Sequence, residues 1–190
     1  MLIFAHTGIT LGAAAIVAGA VKNHSIPLRN QTSWFVTLSG YLDIRLLLIG
    51  SLLPDIIDKP LGLLFLRDSL SSGRIYAHTL LFFFLIAAAG LLLYKLRHRT
   101  WMLVLAAGTF THLVLDEMWT TPKTLFWPLL GLEFDRIKAA AWLSNILEVL
   151  RTYPEVYIPE ILGFTILTWF GLLLIFRKQV QDFLKQGKLR

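Results

Sequence analysis

His112 and Asp116 stand four residues apart in T-H-L-V-L-D, near the end of an apolar run that begins at Trp101. On a helix, positions i and i+4 share a face one turn apart, so an imidazole and a carboxylate project together. Ionisable groups within a segment built for lipid are costly unless they are paired, bind metal or face a wet cavity. The pair therefore calls for partners. Residues of the same kinds stand at the ends of other apolar runs: His6 at the start of the first, Asp55 and Asp58 in G-S-L-L-P-D-I-I-D at 50–58, and His78 in A-H-T-L at 77–80. Neutral imidazoles and carboxylates, without thiolates, suit Zn²⁺ and also Mn²⁺ or Fe²⁺. The chain contains no cysteine, which excludes disulfides, thiolate metal sites and cysteine nucleophiles. Three His and one Asp fill a tetrahedral shell, whereas six ligands spread over two ions leave positions open for water. A divalent metal so held activates water near neutral pH and polarises a phosphoryl oxygen.

The elements that must position these residues are apolar helices. The chain has 190 residues, enough for a single domain over 1–190, and is 56% hydrophobic with only 16% charged residues. Soluble domains carry about a quarter charged residues, so the composition implies an all-α, multi-pass membrane bundle. Five apolar runs are legible: 2–21, about 41–58, Tyr76 to Tyr94, Trp101 to Trp119 and Ile158 to Phe176. A run of about 19 residues makes a helix of ~28 Å, enough to span. No Lys or Arg precedes the first run, so it lacks the basic start of a cleaved signal. Its Gly8, Gly12 and Gly19 offer small-residue faces for close helix packing. The second run is the weakest, interrupted by Asp43 and Arg45, and Pro54 predicts a helix break that leaves Asp55 and Asp58 at a fresh start. Between the fourth and fifth runs, Ala140, Leu143, Ile146, Leu147 and Leu150 recur opposite Asn145, Glu148 and Arg151. That spacing predicts an amphipathic helix lying in the interface.

If all five runs cross, alternate ends meet on one side. His6, Asp55, Asp58, His78, His112 and Asp116 then approach one face, while His24 and His98 fall in basic loops on the other. That other face carries eleven of the eighteen Lys and Arg residues, among them Lys95, Arg97, Arg99 and the tail residues Arg177 to Arg190, against two of the twelve acids. By the positive-inside rule it is cytoplasmic, which places the polar cluster on the extracytoplasmic side. The same asymmetry accounts for the net charge of +6 without a nucleic-acid partner.

With these residues in view, the sequence resembles the membrane-bound metal-dependent hydrolases of the YdjM-like family. The matching pieces are His6 with Gly8 and Gly12, G-S-L-L-P-D-I-I-D at 50–58, Arg74 with A-H-T-L at 77–80, H-L-V-L-D at 112–116, and the trailing Thr120 and Trp127-Pro128. The resemblance covers roughly residues 1–130. The family is in turn distantly similar to zinc-dependent phospholipase C and related single-strand nucleases. Carried over, the resemblance implies metal ligands at His6, Asp55, His78, His112 and Asp116. The soluble zinc enzymes have further histidine ligands after His-x-x-x-Asp, and this chain has no histidine after His112. One or two ions, most simply zinc, are therefore expected in place of a three-metal centre.

Asp55, Asp58 and Arg74 are the candidate catalytic groups. Asp58 reads as a ligand, as an acceptor for a ligand's N–H, or as a helix-terminal charge. Arg74 reads as a phosphate clamp or as a juxtamembrane anchor. Thr79 and Thr111 either support ligands or back-bond to their own helices. The leading functional expectation is a hydrolase that cleaves a phosphoester of a lipid or other amphiphile at the membrane. Its rival is a divalent-metal binding or transport protein without hydrolytic activity, and a third reading is a purely structural polar network.

Overall fold

A computed structural model of the chain describes residues 2–23, 33–66, 70–135 and 148–189. Among them every regular element is a helix. In chain order these are α1 (Ile3–Asn23), α2 (Trp34–Tyr41), α3 (Ile44–Pro60), α4 (Leu80–Arg97), α5 (Trp101–Leu115), the short α6 (Pro122–Leu125), α7 (Pro154–Phe176) and α8 (Val180–Gln186). A π-helical turn, Leu61–Phe65, extends α3, and a 3₁₀ turn, Met118–Thr120, follows α5. The arrangement is that of a helical membrane bundle. Helices α1, α4 and α7 are each long and apolar enough to cross a bilayer. The second run is a bent pair, α2 with α3 and its extension, turned by 83°. The fourth run is a helix of only 15 residues. The five equivalent crossings expected from the runs are thus three full-length helices, one bent pair and one short helix.

The bundle is held by backbone-close contacts. A Cβ on Gly8 of α1 would overlap the backbone of Gly163 in α7, and one on Gly108 of α5 would overlap α3 at Leu47 to Ser51. Without side chains at these points the helices approach closely, the device by which apolar helices associate when lipid offers no hydrophobic driving force between them. Leu11, Ala15, Phe35, Leu38, Ile44, Leu47, Val104, Phe170 and Leu174 fill the shared interior of α1, α2, α3, α5 and α7. Helix α4 keeps an outward apolar surface at Leu81, Phe84, Leu85, Leu91 and Leu92.

Three expectations are corrected. Helix α3 runs unbroken through Pro54. Proline removes the N–H that would serve the Gly50 carbonyl four residues earlier, and the Thr109 hydroxyl of α5 donates to that carbonyl at 3.4 Å. The partner helix thus compensates for the proline. Asp43 and Arg45 do not weaken the start of α3: the Asp43 side chain caps it, accepting from Arg45 N at 3.0 Å, and also holds the Arg45 guanidinium at 2.6 Å. The third run becomes helical only at Leu80, because the backbone N–H groups of Ile75, Ala77 and His78 are taken by the Asp58 carboxylate. Most of the expected interfacial helix, including Ala140, Leu143, Asn145, Ile146 and Leu147, lies outside the described residues. So does His24. The basic tail is docked as well as basic: the backbone of Leu189 exchanges hydrogen bonds with the Ser39 hydroxyl, and Ile44 N donates to Gly187 O.

Candidate metal centre

Four chain segments deliver the cluster. His6 comes from the first turns of α1, Asp55 and Asp58 from the end of α3, His78 from the turn before α4, and His112 and Asp116 from the end of α5. His6, Asp58, His78 and His112 are fully buried.

Each of two imidazoles is oriented through Nδ1. In His112, Nδ1 lies 2.6 Å from the Ser51 carbonyl oxygen. A carbonyl only accepts, so Nδ1 carries the proton and the Nε2 lone pair is free. In His78, Nδ1 lies 2.7 Å from Asp58 Oδ2. The Asp58 carboxylate also accepts from Ile75 N at 2.8 Å, Ala77 N at 3.0 Å and His78 N at 3.1 Å. Asp58 therefore fixes the loop and the ring together and stands behind His78. It accepts the His78 ring N–H from behind and belongs to neither group of side chains spaced to hold an ion.

The two free Nε2 atoms then face each other, 3.2 Å apart, in a buried space. Two lone pairs so placed repel unless a proton or a metal cation lies between them. Ligands at ~2.0 Å from a tetrahedral zinc would be ~3.3 Å apart. Asp55 Oδ1 approaches the same point, 3.6 Å from His78 Nε2 and 4.0 Å from His112 Nε2. Asp116 Oδ2 lies 3.9 Å and 4.0 Å from the same two nitrogens. The His6 ring stacks on His112, with centroids 4.0 Å apart, and its Nε2 lies 3.2 Å from Asp116 Oδ1. That approach is short but misaligned for hydrogen bonding, and both His6 ring nitrogens are buried with no hydrogen-bond partner. Unpartnered buried nitrogens are costly, and coordination through Nε2 would satisfy one of the two. Among the described residues two triads have the spacing to hold an ion: His6, Asp55 and His112, and His78, His112 and Asp116. The donor set of ring nitrogens and carboxylates fits a divalent transition metal.

Two basic groups border the cluster. Lys59 Nζ lies 2.6 Å from Asp55 Oδ2, and Arg74 NH2 lies 2.8 Å from Asp116 Oδ2. Both side chains are about a third exposed, at 31% and 38%. Two of the titrating groups sit outside the apolar helices. Burial pushes the His78 imidazole down, but the carboxylates of Asp55 and Asp58 outweigh it and raise its pKa. Burial pushes the Asp116 carboxyl up, but His6 and then Arg74 outweigh that and hold it well below the ordinary carboxylate range. Both shifts express the same demand for positive charge beside these carboxylates.

The residues singled out in the sequence separate cleanly. His6, Asp55, His78, His112 and Asp116 converge, with Arg74 at the edge and Asp58 behind. His98 is the left-handed cap of α4, exposed, with its ring edge-on to that of Tyr94. Thr79 caps α4, accepting from Phe82 N, and Thr111 donates to Gly108 O of its own helix. The sequence reading missed Lys59 and the Ser51 carbonyl. Lys59 was findable as the i+4 partner of Asp55 on a helix, had Pro54 not argued against the helix.

The YdjM inner membrane protein family matches residues 1–181. The comparisons with curated proteins and with solved structures gave no match. The family match takes in all five converging residues and extends past the roughly 130 residues of the resemblance to include α7. The chain therefore belongs to the YdjM inner membrane protein family.

Proposed function

We propose that this protein is a multi-pass, metal-dependent hydrolase that cleaves a phosphoester of a lipid-like substrate. The observation that carries the metal is the pair of opposed, buried Nε2 atoms of His78 and His112, 3.2 Å apart, with carboxylates beside them. His112 has one free nitrogen and is shared by both candidate triads, so it serves a single ion, and we assign one tightly held ion per chain. Zinc is the best match to an all-His and carboxylate set with no thiolate. Such an ion supplies a nucleophile from water near neutral pH and polarises a phosphoryl oxygen. The chain's own residues would do the rest. Asp58 and the Ser51 carbonyl orient the two imidazoles, Asp55 and Asp116 balance the cation, and the partly exposed Arg74 and Lys59 offer donors to phosphoryl oxygens.

A hydrolase fits better than a carrier because the cluster lies at helix ends, whereas transporter sites lie near the midplane on broken helices. The lipid-like substrate rests on the apolar helices that surround the cluster. The test is turnover. Detergent-purified protein, stripped with chelator and reloaded with zinc, should hydrolyse a phospholipid or lipid phosphate only when loaded. Stoichiometric zinc binding with no turnover on a panel of such substrates would favour the metal-binding reading instead.

The distribution of Lys and Arg supports an extracytoplasmic cluster and a cytoplasmic C-terminus. A reporter fused after Arg190 should be active only in its cytoplasmic form. Activity of the periplasmic form would mean that the span count is wrong, with the bent α2–α3 pair the first suspect.

A further inference from the structure

Glu160 is an acid within the apolar helix α7, only 8% exposed, in a segment otherwise uncharged from Val156 to Phe176. Such a group is costly at that position and calls for a reason. The reason lies at the far end of the chain. Helix α1 has no acidic residue in its first turn, and the first N–H groups of any helix lack partners of their own. Glu160 supplies them. Its Oε1 accepts from Leu2 N at 2.7 Å and from Ala5 N at 3.3 Å, and its Oε2 accepts from Phe4 N at 3.1 Å. A carboxylate at the positive end of the helix dipole adds to this. The last long helix thus caps the first.

The same turn of α1 carries His6. His6 N closes the first helical turn on Leu2 O at 3.3 Å. One residue pair further, Gly8 and Gly163 put the two backbones in contact, and Phe4 packs edge-on against Phe164 at 5.3 Å. His78 and His112 each have an orienting hydrogen bond through Nδ1. His6 has none on either nitrogen. Its ring is placed by its stack on His112, by the 3.2 Å approach of its Nε2 to Asp116 Oδ1, and by where the backbone of α1 begins. We infer that Glu160 is the positioning residue for His6: it fixes the start of α1, and thereby brings the His6 imidazole to the metal. The inference rests on the metal centre proposed above. It gives α7 a role in that centre although α7 contributes no ligand.

The experiment is a double-mutant comparison of zinc affinity in the full-length protein. Glu160→Ala should weaken zinc binding about 10-fold or more, within the 10–100-fold range typical of groups that orient a ligand. Glu160→Gln should fall between, because its amide oxygen still accepts while its NH₂ opposes an N–H. In a His6→Ala background, Glu160→Ala should bring no further loss, since the residue it positions is gone. A general loosening of the bundle would instead weaken binding by the same factor in both backgrounds, and that result overturns the inference. So does unchanged affinity in Glu160→Ala when the wild type binds zinc. Glu160→Gln, nearly isosteric, carries the same comparison if the alanine variant does not insert. A wild type that binds no zinc removes the centre and this role with it, an outcome distinct from the other two.

Discussion

Replacing His112 with alanine should abolish the proposed stoichiometric metal binding. His112 is the one residue common to both candidate triads, so its loss breaks either arrangement. Orienting groups alone are worth 10–100-fold in metal affinity, and a direct ligand should cost more than ~100-fold. Asp116→Asn keeps the size of the side chain and removes the charge that faces His6, Arg74 and the ring nitrogens. It should also lose metal, with little change in packing. His98→Asn, at an exposed left-handed cap where asparagine is well tolerated, should bind as the wild type does. Binding must appear as stability, because an ion that binds only the folded state at 100 times its dissociation constant contributes about 2.7 kcal/mol. Zinc should therefore raise the unfolding temperature of the wild type and of His98→Asn, and leave His112→Ala unmoved. Equal shifts in all three would place the metal elsewhere.

Asp58→Asn has the second large effect, and it acts on folding and on the metal together. The carboxylate accepts from three backbone N–H groups and from His78 Nδ1, wholly away from solvent. An amide presents one accepting atom and one donating group, so at least one buried donor is left facing another. Each unsatisfied buried donor costs about 1–3 kcal/mol. The expected loss is about 3 kcal/mol of stability and ~10–100-fold in zinc affinity, since the His78 ring is no longer held. Thermal unfolding in detergent without metal reads the first and a zinc titration the second. A variant that melts like the wild type and binds zinc equally well would mean that Asp58 holds neither the loop nor the ring.

The cluster was legible because its members are polar residues in apolar surroundings. His112 and Asp116 announce each other by i,i+4 spacing, and antiparallel runs bring the ends carrying His6, Asp55 and His78 to the same side. What was not legible depended on contacts between elements distant in sequence. Pro54 argues for a break, and the Thr109 hydroxyl, 59 residues from the Gly50 carbonyl it serves, compensates for the lost N–H. Asp58 reads three ways because its role is decided by a loop that folds back to it from residues 75–78. Glu160 carried a signal, an acid in a membrane helix, but nothing local says that its partners are the first N–H groups of the chain, more than 150 residues away. The two crossings that the runs overstate, the bent α2–α3 pair and the 15-residue α5, differ from the rest in a way hydropathy does not register. A bend is set by caps such as Asp43, and the end of α5 by Asp116 and the left-handed Glu117 that follows it.

The most direct measurement is the metal content of the wild-type protein, purified in detergent without chelator and again after exchange into zinc. The opposed His78 and His112 nitrogens, the buried His6 ring beside them and the flanking carboxylates predict one transition-metal ion per chain, zinc after exchange. Metal no higher than in His112→Ala, even with zinc offered, would contradict the account at its centre.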